Sequence, residues 1–150
     1  MMTTPLVPST YAGYASDMEL RADIQQAKDR IKLRFGYRTE LKTLESVLLP
    51  GETVRSMLFG KSGSLRGLVV LTDQRIVFHH AAPTAMFTAK NTSAFPLTQV
   101  TSVHAASRGL SAELSVTVAS SAIEFTEIPR QYVDEFAANA NQAVSAASLR

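Results

Sequence analysis

The chain has no cysteine, which excludes disulfide cross-links, thiolate zinc sites and cysteine nucleophiles and fits a reducing compartment such as the cytoplasm. Its fold must rest on packing and hydrogen bonding alone. No run approaches the roughly 18 consecutive apolar residues that a membrane-spanning helix needs, and the first residues lack the basic and apolar regions of a secretory signal, so a soluble, cytoplasmic protein is expected. An excess of either charge is also missing. The 15 basic and 13 acidic residues are interspersed and leave a formal charge of +2, weak ground for nucleic-acid binding through bulk charge. Catalytic signatures are absent as well: there is no Gly-x-Ser-x-Gly elbow, no His-Glu-x-x-His and no convincing carboxylate pair. Gly60-Lys61-Ser62 is not a P-loop, because Arg55 stands where the leading glycine belongs and a strand follows instead of a helix. The expectation is a chain that is not an enzyme and takes no cofactor.

What is present is the balance of a globular protein, with 45% apolar and 19% charged residues over 150 positions, enough for one core. Residues 1–15 hold three Thr, two Pro, one Gly and two Tyr without apolar period and read as a flexible arm. Residues 16–48 read as helical. Ser16 and Asp17 supply a helix N-cap, and Leu20, Ile24, Ala27, Ile31 and Phe35 recur at steps of three and four, one stripe of a helix over 17–35. Gly36 breaks it. Leu41, Leu44, Val47 and Leu48 then predict a second piece over 38–48, stopped by Pro50 and Gly51.

From Glu52 onward, β-branched and aromatic residues fall in short runs divided by turn residues, the mark of an all-β stretch. The runs are 53–59, 65–72, 75–80, 85–89, 93–97, 100–107, 112–119 and 122–127, two of which can be halves of one bent strand. Their links at 60–63, 72–74, 108–110 and 120–121 are short enough for hairpins, so the topology is a meander. Leu114, Val116 and Val118 alternate with polar neighbours, as do Ile123 and Phe125, the pattern of a strand with one wet face. Leu68-Val69-Val70-Leu71 does not alternate and predicts a strand covered on both faces. After Pro129, Tyr132 or Val133, Phe136, Ala140, Val144 and Ala147 return to helical spacing, and the large residues at the front of this helix, about 129–147, are the ones expected to plug an apolar opening.

About seven antiparallel strands followed by one helix is the order of a pleckstrin-homology-like (PH-like) barrel. Leu49-Pro50-Gly51-Glu52, Gly67 to Phe78 with its Thr72-Asp73-Gln74-Arg75 turn, Phe95-Pro96-Leu97 with Val100-Thr101-Ser102-Val103, and Ile123-Glu124-Phe125 together resemble the bacterial PH-like domain families over residues 49–147. The resemblance implies a mainly β, α+β fold over 49–150, with two near-orthogonal antiparallel sheets capped by the C-terminal helix. It also implies an interaction module whose ligand the fold leaves open, since such barrels read lipids, dock proteins or self-assemble.

Three sets of residues are candidates for binding. The stripe Leu20, Ile24, Ile31 and Phe35 offers an apolar face to a protein partner or a second copy of the chain, unless it packs on its own barrel. Lys61 and Arg66 flank the Ser/Gly turn that matches the phosphate-holding loop of lipid-reading PH domains, and Arg75 adds a third cation, so an anionic membrane surface is the alternative partner. Thr72, Asp73 and Arg75 also suit the plainer task of fixing their turn. The basic run Lys28, Arg30, Lys32, Arg34 and Arg38 is interleaved with Asp17, Glu19, Asp23, Asp29 and Glu40, which makes a solvated, salt-bridged helix face a better reading than a nucleic-acid surface. His79 and His80 are adjacent on a strand and point to opposite faces, so they cannot share a metal; His104 lies on another strand, and no metal site is called.

Overall fold

The computed structural model describes residues 19–33, 36–83 and 88–149. Two helices come first, α1 (Ala22–Arg30) and α2 (Arg38–Val47). Seven strands follow: β1 (Val54–Ser62), β2 (Leu65–Thr72), β3 (Arg75–Pro83), β4 (Thr88–Pro96), β5 (Val100–Arg108), β6 (Ser111–Val118) and β7 (Ser121–Pro129). A 3-10 turn at Leu97–Gln99 joins β4 to β5, and helix α3 (Arg130–Ser148) ends the chain. The strands make one seven-stranded antiparallel sheet in the order β4-β3-β2-β1-β7-β6-β5, where two near-orthogonal sheets were expected. The ladders are continuous because β1 pairs on one side with β2 along its length and on the other with β7, through Lys61 opposite Thr126. Gly60 makes that junction sterically possible: a Cβ there would lie 2.7 Å from the Thr126 carbonyl oxygen and 2.8 Å from the Ile128 side chain.

The meander and the closing helix follow the sequence pattern. Residues 88–89 of the run 85–89 and residues 93–96 of the run 93–97 belong to a single strand, β4; residues 84–87 lie outside the described ones. The 60–63 link is shorter than expected, because β1 continues to Ser62 and the turn is Gly63-Ser64. Inside the curved sheet, Leu58, Val69, Leu71, Ile76, Phe78, Leu114, Val116 and Phe125 pack with Val133 and Phe136 of α3. Phe136 is buried in this cluster, and Phe78 stacks on Phe125 at 5.4 Å. The free edge of β5 is partly covered by α3, where the Asn141 carboxamide accepts from the Val103 N–H at 2.9 Å and donates to the Val103 carbonyl at 2.7 Å.

The N-terminal region departs further from expectation. The helix predicted over 17–35 is described only over Ala22–Arg30, with the proposed caps Ser16 and Asp17 outside the described residues. It stops early because the backbone turns left-handed at Lys32 (φ 51), Gly36 (φ 74) and Tyr37 (φ 59), and this swing brings Leu33 into the core. More consequential is where the stripe goes. Ile24, Ala27 and Ile31, with Leu41 and Leu44 of α2, are buried against Val54, Met57, Leu68, Val70 and Val77 on the outer face of β1, β2 and β3. Leu20 packs partly exposed at the border of this cluster, and Phe35 lies outside the described residues. The stripe that was expected to meet a partner is thus covered by its own sheet, the other of its two destinations, and it accounts for the strand run without alternation.

Candidate functional site

The three cations proposed to hold an anion are not together. Lys61 and Arg66 are cross-strand partners beside the β1–β2 turn, but Arg75 sits at the far end of β2, past its turn into β3. Each has another engagement. The Lys61 ammonium is 3.2 Å from a Glu127 carboxylate oxygen, and the Arg66 guanidinium lies over the Tyr37 ring, 4.9 Å from its centre. Arg75 turns inward: its Nε and Nη2 donate to the two oxygens of Glu52 at 2.8 and 2.7 Å, and Nη2 also donates to the Val47 carbonyl at 3.0 Å. The histidines are spread as expected, with His79 buried between the Thr43 and Thr92 hydroxyls (2.7 and 2.9 Å), His80 bonded to the Arg66 carbonyl, and His104 exposed on β5.

Glu52 is the centre of a buried polar latch. Its side chain is fully covered and accepts from the Leu49 N–H at 2.7 Å and the Thr72 hydroxyl at 2.6 Å, besides the fork from Arg75. Burial pushes the Glu52 carboxyl up, but the bonds from Arg75, Thr72 and the Leu49 N–H outweigh it and hold the group below its ordinary value. The Thr72 hydroxyl oxygen accepts in turn from the N–H groups of Gln74 and Arg75, and Asp73 exchanges bonds with the backbone of Thr53. Two of the segments that carried the resemblance, Leu49 to Glu52 and Thr72 to Arg75, therefore lock the end of α2 to the β2–β3 turn. A second clamp fixes α1: Arg21 grips Asp23 at 2.6 and 2.7 Å and donates to the Glu52 carbonyl, while Asp23 accepts from the Val54 N–H at 2.6 Å.

The surface left open is a groove of about 650 Å³ between α1 and α3, floored by the start of β1 and the end of β2. Ala27, Val54, Leu71, Leu97 and Ala143 supply apolar lining; Gln26 on one wall, Asn139 and Gln142 on the other, and Arg55 at the floor supply polar groups. Among the described residues these three carboxamides and the Arg55 guanidinium have no internal hydrogen-bond partner. The two carboxylates in the lining are already committed, Asp23 to Arg21 and the Val54 N–H, and Asp73 to the Thr53 N–H. The Arg30 guanidinium donates to the Arg55 carbonyl at 3.2 Å.

Residues 48–142 match the family described as bacterial PH domain. The chain belongs to the bacterial PH domain family. No curated protein matches it. The PH fold is that of an interaction module, and of the segments that carried the resemblance, Leu49 to Glu52 and Thr72 to Arg75 serve the latch, while Leu71, Asp73 and Leu97 line the groove. The groove of this PH domain went unseen in the sequence because it arises between two helices far apart in the chain, Ala22–Arg30 and Arg130–Ser148. One signal was there: the small residues Ala143 and Ala146, near Asn139 and Gln142, leave the flank of α3 without bulk. Among the described residues no helix is long and apolar enough to cross a membrane.

Proposed function

We propose that this PH domain is a non-catalytic interaction module that docks an extended peptide segment of a protein partner in the groove between α1 and α3. The observation that carries the reading is a groove with an apolar floor and walls of Gln26, Asn139 and Gln142, carboxamides with free bonding capacity. A carboxamide both donates and accepts, which suits the alternating N–H and C=O groups of a peptide backbone, while the floor accepts its side chains. The anionic-lipid alternative has less support, since Lys61, Arg66 and Arg75 are engaged with Glu127, Tyr37 and Glu52 and do not converge. Self-association through Ile24 and Ile31 would require removing buried side chains from their own core. Nucleic-acid binding has no basic groove behind it, since Arg30 and Arg55 are accompanied by Asp23 and Asp73.

The test is selection of displayed peptides on the immobilised protein, repeated with Ala146→Arg. Ala146 is exposed and lines the groove, so the substitution fills the opening without entering the core. Peptides enriched on the wild type should lose binding to the variant at unchanged melting temperature. Enriched peptides that bind both proteins equally, or salt-sensitive binding to phosphatidylserine vesicles that survives the substitution, would overturn the assignment of the groove.

A further inference from the structure

We infer that the peptide taken up by the groove carries a side-chain carboxylate, from Asp or Glu, that is gripped by Arg30 and Arg55. This rests on reading the groove as a peptide site and names the chemistry of what it takes. Arg30 lines the groove from the last turn of α1 and Arg55 from the start of β1, and both are exposed. Arg30 Nη1 donates to the Arg55 carbonyl at 3.2 Å, which fixes the first side chain against the backbone of the second. A guanidinium carries several further N–H donors, and among the described residues that of Arg55 has no internal bond or ion pair at all. Two like charges on one stretch of wall repel each other. A carboxylate that accepts from both offsets the repulsion and takes up the unused donors.

The neighbouring charges decide how acidic the partner is. Asp23 in the same lining is met within the fold by the fork from Arg21 and the Val54 N–H. Two other carboxylates have no cation within ion-pair distance among the described residues: Asp73, in the groove, and Glu135, in a smaller hollow that shares Ala27, Arg30 and Asn139 with the groove and so continues it along α3. The arginines thus stand between an acid on one side and an acid on the other. A polyanion such as a nucleic acid would meet Asp73 and Glu135 as well, whereas an extended chain with one carboxylate among neutral or basic residues would not. The same continuity selects a side chain over a chain end. A terminal carboxylate seated at Arg30 would leave the further hollow uncovered, while a residue of a passing chain reaches the arginines as its backbone runs on. Val54, Leu71 and Leu97 then receive an apolar side chain to one side of the acid.

Two displayed peptide libraries, identical except for a fixed central Glu or Gln, test this on the immobilised full chain. Binders from the Glu library should be about fivefold tighter than their Gln counterparts, the size of an exposed ion pair. That advantage should vanish on Arg55→Gln and pass to a library with a central Lys on Arg55→Glu. Because Arg55 is exposed and its side chain has no internal partner among the described residues, both variants should melt like the wild type. Glu and Gln peptides that bind equally, and that fail on Ala146→Arg, would overturn the carboxylate and leave the groove as a peptide site. If no peptide from either library is lost on Ala146→Arg, the groove falls and the carboxylate with it. A Glu advantage that survives Arg30→Gln with Arg55→Gln would place the carboxylate elsewhere, and binding lost on amidating the peptide's C-terminus but not on changing Glu to Gln would place it at a chain end; either result overturns the inference. So would phosphatidylserine vesicles that bind the wild type and not Arg55→Gln, since a lipid surface would then hold the arginines.

Discussion

Arg75 shows how a residue can be chemically suited to one task and structurally committed to another. Its guanidinium could hold a phosphate on an open loop, but here it forms a two-point fork with a carboxylate that has no exposed surface. Removing one member of a buried pair leaves the other charge without compensation, which costs about 3 to 5 kcal/mol. Glu52→Gln should therefore lower the denaturation midpoint by a large part of a small domain's stability. Lys61→Ala, which breaks only a pair with the exposed Glu127, should change it by about 1 kcal/mol or less. Urea unfolding of the two variants makes the comparison, and equal small effects would remove the latch from the stability of the fold. The sequence made Arg75 a candidate for turn fixing and for anion binding alike. What it could not display was Glu52, 23 positions away, as its acceptor, because side-chain pairing across a hairpin and a loop has no period to read.

At the scale of elements, the strands and the last helix were legible and the first helix was legible only in part. Alternation at Leu114, Val116 and Val118 and the helical spacing of Val133, Phe136 and Ala140 are local patterns, and the structure keeps them. The length of α1 is set by something else. It begins where Arg21 and Asp23 meet the first N–H of β1 and ends where Lys32 turns left-handed, contacts and conformations that periodicity does not carry. The clamp also gives α1 a pH dependence. The bonds from Arg21 hold the Asp23 carboxyl down to about 2 from its ordinary 3.8, against burial and with help from the Val54 N–H. A depressed carboxylate stabilises the folded state fully above its ordinary value and loses that contribution as the pH falls from about 4 through about 2. The loss should amount to about 1 to 2 kcal/mol. Asp23→Asn should be less stable at neutral pH and show a flatter stability profile across that window, measured by urea midpoints at successive pH values; parallel profiles would mean that the clamp does not hold α1 to β1.

On the scale of the whole molecule, the PH domain has two cores on one sheet, and the second changes what counts as the domain. The family match begins at residue 48, and all seven strands and α3 lie after that point. The run Leu68-Val69-Val70-Leu71 reads as a strand covered on both faces, and the structure supplies its second layer from the N-terminal helices. In the structure Leu68 and Val70 face α1 and α2, while Val69 and Leu71 face α3 and the inner core. Each such side chain contributes about 1.5 to 3 kcal/mol by its burial, so removing residues 1–48 would expose Met57, Leu68, Val70 and Val77 as one apolar patch. The full chain carrying Ile24→Asp and Ile31→Asp tests the same point without truncation. Two carboxylates forced into this layer should lower the melting temperature steeply and increase binding of a hydrophobic dye, with no prior change of molecular mass by light scattering. A double variant that melted like the wild type but had lost a higher-mass species would put the stripe on another chain and return the N-terminal helices to the binding surface.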